Sequence, residues 1–162
     1  MLMASAKKLG WDAKSRTMLK HIKSGDLFAF ALGNGKYGFG RIISSVSLGH
    51  VAEFFDRIAD DPNLDASDIV SCKRLKQPVV LDSYSLFDRK MEGDWRIIAH
   101  QEKFHPTDID GVFFTYGDGA GRRKVDVFGA ENPVSEKEAK DLPFYSPLGD
   151  EDVKREVYGI EN

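Results

Sequence analysis

Apolar residues along the chain gather in short runs, and glycine, proline, asparagine and aspartate separate the runs. DLFAFAL, residues 26–32, and KYGFGRIIS, residues 36–44, flank the dipeptide Asn34-Gly35. Both residues of that dipeptide tolerate positive φ. Asn-Gly between two hydrophobic runs is the strongest short-range signal for a type I′ hairpin. A two-residue loop there pairs Leu32 with Tyr37, Phe30 with Phe39 and Phe28 with Arg41. On the opposite side it pairs Ala31 with Gly38 and Ala29 with Gly40. The pattern therefore predicts a bulky face of Phe28, Phe30, Leu32, Tyr37 and Phe39, read as core. The other face, Ala29, Ala31, Gly38 and Gly40, is bare and open to close approach by another segment.

The remaining runs extend this picture. HVAEFFDRI, 50–58, reads as strand or short helix, its apolar period favouring helix slightly. DDPNLDASDIVS, 60–71, predicts a loop and then a short helix capped by Asp65. VVLDSYSLF, 79–87, and DWRIIAH, 94–100, predict a second hairpin around residues 88–93. GVFFTYG, 111–117, and RKVDVFG, 123–129, predict a third, closed by GDGAGR. Short helices are expected near 14–22, over 131–142 with Ser135 near its start, and over 150–159 with Gly159 as the stop. The fold class is α+β in a single domain spanning 1–162. It is a strongly bent, mainly antiparallel sheet or small open barrel of sequential hairpins, with three or four short peripheral helices.

Composition adds that hydrophobic residues are 41% and charged residues 30%, a soluble globular mixture with eleven Phe to build a core. The net charge of −3 argues against nucleic acid as a partner. Charge is uneven: residues 1–25 sum to +5 and residues 131–162 to −5. Residues 1–23 form a basic N-terminal segment and 131–162 an acidic helical one. Cys72 is the single cysteine, so an internal disulfide is excluded. The sequence has neither an apolar run of about 18 residues nor an apolar leader core, so a cytoplasmic protein away from membranes is expected.

Candidate chemistry is sparse. Gly33, Gly35 and Gly38 spell G-x-G-x-x-G, but a dinucleotide loop must open a helix at that point. Gly38 and Gly40 would each weaken such a helix by about 1 kcal/mol. The glycines therefore serve a turn and close packing. His21, His50, His100 and His105 lack metal-ligand spacing, and Asp108-x-Asp110 lacks the later Glu of a calcium loop. No cofactor, metal or catalytic set is expected. GDGAGRR, 117–123, could nest an anion between backbone N–H groups beside Arg122 and Arg123. That loop supports a rival reading, a small enzyme or a nucleic-acid or phosphate-binding module on a bent sheet. Arg41 is expected either to pair with Asp26 or another acid, or to touch a partner.

SGDLFAFALGNGKYGFGRIIS resembles the opening of the immunity protein 26 family, bacterial proteins encoded beside polymorphic toxins. The matching residues are Gly25-Asp26-x-Phe28 and then Gly35-x-Tyr37-Gly38-Phe39-Gly40-Arg41. Gly93-Asp94-Trp95-Arg96-Ile97-Ile98, followed by Pro106, is a second similar element. The chain departs from the pattern at Ala31, where proline is expected, and at Ala99-His100, where glycine often follows. The resemblance pulls 50–58 toward strand. It implies binding rather than catalysis: a non-enzymatic inhibitor that covers or distorts the active site of a toxin encoded by an adjacent gene. Asp108, Asp110 and Asp118 in an acidic surface would suit a basic toxin such as a nuclease. Together with Tyr116, Arg122 and Arg123 they form the expected partner contacts. Asn34, Gly35, Gly38, Gly40, Phe28, Phe30, Phe39, Arg41 and Trp95 are expected to be structural.

Overall fold

The structure, a computed structural model, describes residues 6–161. The larger of its two antiparallel sheets contains β1 (Ala6–Lys8), β2 (Asp26–Gly33), β3 (Lys36–Val46), β4 (Gly49–Phe55), β5 (Arg74–Leu81) and β6 (Trp95–Gln101). Its strand order is β1-β6-β2-β3-β4-β5. The smaller contains β7 (Phe113–Tyr116), β8 (Arg123–Asp126) and β9 (Glu131–Pro133) in sequence order. The larger sheet is bent by bulges in the β2–β3, β2–β6, β3–β4 and β4–β5 pairings. It stays open, with β1 and β5 as edges, and is not closed into a barrel.

Asn34 (φ 54°) and Gly35 (φ 72°) reverse the chain between β2 and β3, as the sequence predicts. The predicted register is wrong by one residue. Gly33 faces Lys36, but between Ala31 and Gly33 the register shifts. Leu32 is the extra residue of a bulge, and Gly33 (φ 104°) supplies a backbone angle that other residues avoid. Beyond the bulge Phe30 faces Gly38, Phe28 faces Gly40, Ala29 faces Phe39, and Arg41 faces Leu27 rather than Phe28. A one-residue slip exchanges the two faces of a strand. The bulky and bare faces therefore do not exist. Each glycine lies beneath a phenylalanine ring, and Phe39 points to the opposite side of the sheet from Phe28 and Phe30.

One face of the sheet buries Phe28, Phe30, Ile42, Phe54, Leu81, Trp95 and Ile97. Phe30 stacks on Trp95 with ring centroids 4.0 Å apart and planes 10° apart. Leu86 and Phe87, from the π-helical turn Tyr84–Asp88, cover this cluster together with Val153 and Val157 of a C-terminal helix. The opposite face carries two clusters. Leu27, Ala29, Phe39 and Phe55 pack under Trp11 and under Ala66 and Ile69 of α1 (Ala66–Val70). Ile43, Val51 and Val80 pack against Val112, Phe114 and Val127, which brings the smaller sheet onto the larger one.

Several expected elements are redrawn. Segment 14–22 holds only a 3₁₀ turn, Leu19–His21. Segment 50–58 is strand as far as Phe55, the end of β4. The expected strand 79–87 is instead β5, which begins at Arg74 and ends at Leu81. Pro78 sits inside β5, which an edge strand tolerates because its outer side needs no donor. After it the chain coils so that Leu86 and Phe87 both turn inward. The second hairpin is absent, because β6 leaves β5 and inserts between β1 and β2. The expected helix 131–142 divides into β9 and the four-residue α2 (Glu136–Ala139), whose cap Ser135 accepts the Glu138 N–H. Helix α3 (Asp150–Glu156) lies inside the expected range. None of the helices described is long and apolar enough to cross a membrane.

Candidate functional site

The glycine-rich motifs fix the frame. Gly25 donates its N–H to the Ile42 carbonyl and accepts from the Gln101 N–H, which ties β2, β3 and β6 together. A Cβ at Gly25 would lie 2.5 Å from the Gln101 carbonyl oxygen. Buried Asp26 accepts the Lys23 N–H at 2.9 Å and lies 2.8 Å from His100 Nδ1. Burial raises its carboxyl pKa against the pull of these two partners. His100 thus meets Asp26 across the strands. Gly93 permits a second close approach: a Cβ there would lie 2.6 Å from Asp150 Cγ. The Trp95 indole donates to Asp150 Oδ1 at 2.9 Å, and Lys154 holds Oδ2 at 2.8 Å. Asp150, only 4% exposed, thereby locks α3 onto the sheet.

Arg41 pairs with Glu53, not with Asp26. Its guanidinium lies 3.0 Å from Glu53 Oε2, donates to Gln101 Oε1 at 2.8 Å and stacks on Phe104 at 4.2 Å. Arg74 takes the other carboxylate oxygen of Glu53 at 3.1 Å and donates to the Thr107 and Asp108 carbonyls. Glu53 is 3% exposed. One buried carboxylate shared by two arginines is a pin, and it fixes the loop 102–110 to the sheet.

The six expected partner contacts divide into two groups. Asp108 and Asp110 are exposed on that loop, before β7. Tyr116, Asp118, Arg122 and Arg123 lie at the far end of the β7–β8 hairpin, where Tyr116 faces Arg123. The Tyr116 hydroxyl bonds to Glu131, which raises its pKa. The Gly-rich turn does hold an anion, and the anion is the protein's own. Glu136 accepts the Gly119 N–H at 2.8 Å and the Arg122 Nε–H at 3.2 Å, and these contacts lower its pKa. An external phosphate would have to displace this carboxylate.

A further cleft lies elsewhere. Residues 143–148 form a strap between the two sheets. Thr115 donates to the Pro143 carbonyl and accepts from the Tyr145 N–H; Leu148 donates to the Val80 carbonyl and accepts from the Asp82 N–H. Between this strap, the outer edge of β5 and α3 runs a groove of about 610 Å³. Val79, Phe114, Leu148 and Val157 give it apolar walls, and Lys76, Asp152, Arg155 and Glu156 stand at its rim. Phe144, 75% exposed, lies at its lip. Sequence patterning missed this feature because the strap has no period. The available signal was an aromatic pair between two prolines, PFYSP at 143–147.

No curated protein and no solved structure matches the chain. A profile of the family described as immunity protein 26 matches residues 23–126, well over half of the chain. The match spans β2 through β8 and so contains the Gly25-Asp26 corner, the Asn34-Gly35 turn with its two ring-covered glycines, Arg41 with Glu53, and Trp95. On that match the chain belongs to the immunity protein 26 family.

Proposed function

We propose that this protein neutralises a bacterial polymorphic or contact-dependent toxin by binding it and occluding or distorting its active site. Family membership carries the reading. The protein acts as a stoichiometric inhibitor in the cytoplasm, and its partner is the toxin encoded by an adjacent gene. The surplus of carboxylates in residues 131–162 and on the loop with Asp108 and Asp110 favours a basic toxin of nuclease type, captured quickly through opposed charge. Tyr116, Asp118, Arg122 and Arg123 lie on exposed or half-buried surface of the small sheet, as partner contacts require. A tight inhibitor of this kind buries roughly 800 Å² on each partner.

The test is co-expression of the adjacent toxin domain with and without this chain. Protected growth and a stable one-to-one complex are expected. Equal killing in both cultures refutes the reading.

A further inference from the structure

The family match stops at residue 126, yet the groove is built largely beyond it. The strap 143–148 and α3 supply two of its three walls, and the third is the edge strand β5. The shared part of the chain thus makes the sheet, and the part outside the match adds a concave apolar surface to the sheet's edge. We propose that this groove seats a cationic, apolar-tipped segment of the toxin and sets which toxin the protein recognises. The inference rests on the reading of function given above.

Three observations support it. First, Phe144 is the most exposed of the large apolar side chains at the surface, and it sits at the groove rather than alone. Aromatic anchors at such positions carry most of the binding energy of an interface. Second, the edge of β5 cannot take up an added strand along its length. Pro78 has no N–H to offer, and Lys76 at φ 59° breaks the extended run. Recognition therefore falls to side chains entering the groove. Third, charge selects the occupant. The rim itself is balanced, since Arg155 lies 3.0 Å from Asp152 and 4.0 Å from Glu156 and Lys76 donates to the Glu156 carbonyl at 3.0 Å, so the field is set by the acids around it. Asp141, beside the adjoining hollow lined by Gln77, Pro78 and Phe113, has no ion pair among the described residues. Residues 131–162, within which two of these walls lie, carry a net −5. A lysine- or arginine-flanked apolar tip fits both the walls and the field.

The experiment measures binding of the adjacent toxin domain, made catalytically inactive, by wild type, Phe144→Ser, the pair Asp141→Lys with Glu156→Lys, and Phe128→Ser. Phe128 is exposed but lines no part of the groove, so it serves as control. All four side chains are exposed, so the variants should fold, and circular dichroism checks this. Phe144→Ser is expected to weaken binding at least about 30-fold. The charge pair should slow association roughly tenfold at low salt, with the difference closing at high salt. Phe128→Ser should bind like wild type. Groove variants that bind within threefold of wild type and still protect cells overturn the groove while leaving the immunity function standing. A groove occupied by a second copy of the chain, seen as a dimer that Phe144→Ser dissolves, also overturns it. Wild type that neither binds nor protects removes both readings.

Discussion

Replacing Gly40 with alanine separates the observed hairpin register from the one the two-residue turn alone implies. A Cβ at Gly40 would lie 2.6 Å from the Glu53 carbonyl oxygen and 2.8 Å from Phe28 Cε1, where ordinary contact begins at 3.4 Å. The ring end could swing away, but it is packed against Phe54, Phe87 and Trp95 at centroid distances of 5.5–5.6 Å. The carbonyl belongs to the β3–β4 pairing and cannot move without breaking it. Overpacking of this kind costs about 1–3 kcal/mol when side chains alone must yield. With backbone involved, we expect about 3 kcal/mol or more for Gly40→Ala. Gly38→Ala meets only side chains, Phe30 Cζ at 2.7 Å and the Tyr158 hydroxyl at 3.1 Å, so about 1–2 kcal/mol is expected. Urea unfolding followed by tryptophan fluorescence gives both values, since Trp95 lies in the same cluster. Adding Phe28→Leu to Gly40→Ala should recover part of the loss, because the shorter side chain vacates the clash. In the unbulged register Gly40 faces Ala29 and has room for a methyl group. A Gly40→Ala protein within 0.5 kcal/mol of wild type, or one no less stable than Gly38→Ala, therefore refutes the bulge.

Other outcomes follow from the buried polar contacts. Trp95→Phe keeps an aromatic ring in the cluster but removes the donor to Asp150, and a loss of about 1–3 kcal/mol in urea unfolding followed by circular dichroism is expected. Glu53→Gln leaves the Arg41 and Arg74 guanidinium groups close together without their shared charge. A loss on the order of 3 kcal/mol is expected, with faster proteolysis of the loop 102–110 that Arg74 holds. His50, buried beside Ser83 Oγ at 2.7 Å and bonded to the Ile22 backbone, has its pKa lowered by burial. Its neutral form belongs to the fold, so that stability is complete above the unfolded value near 6.5 and declines as pH falls below it. The slope cannot exceed about 1.4 kcal/mol per pH unit for one proton, and His50→Gln should flatten it between pH 6.5 and 5.5.

The parts of the fold legible in the sequence are those fixed by local backbone chemistry. Asn34-Gly35 reads as a turn because positive φ at two successive residues has few solutions. Asp65 reads as a helix cap for a similarly local reason, and α1 begins directly after it, whereas the helix expected from residue 131 begins only after Ser135. The bulge at Leu32 was not legible. It depends on Gly33 adopting φ 104° so that two phenylalanines can lie over two glycines, which is a packing demand across three strands. The departure of β6 from β5 was hidden too. Residues 94–100 read as a strand, but their pairing with β2 depends on buried contacts distant in sequence. The site residues show the same division. Arg122 and Gly119 were visible as an anion cradle, but that Glu136 fills it follows only once β9 brings α2 back across β8. The groove was illegible for a related reason, since its walls come from three segments that share no period.

Pro78 and the left-handed Lys76 also bear on what happens when copies of the molecule crowd together. Unprotected outer strands are templates for fibrils, and the hazard grows with the pool of molecules in solution. An interrupted rim lets such a pool remain dispersed, at the modest expense of two imperfect residues in one strand. Pro78→Val would remove one of these two interruptions and make the molecule more prone to precipitate as its concentration rises.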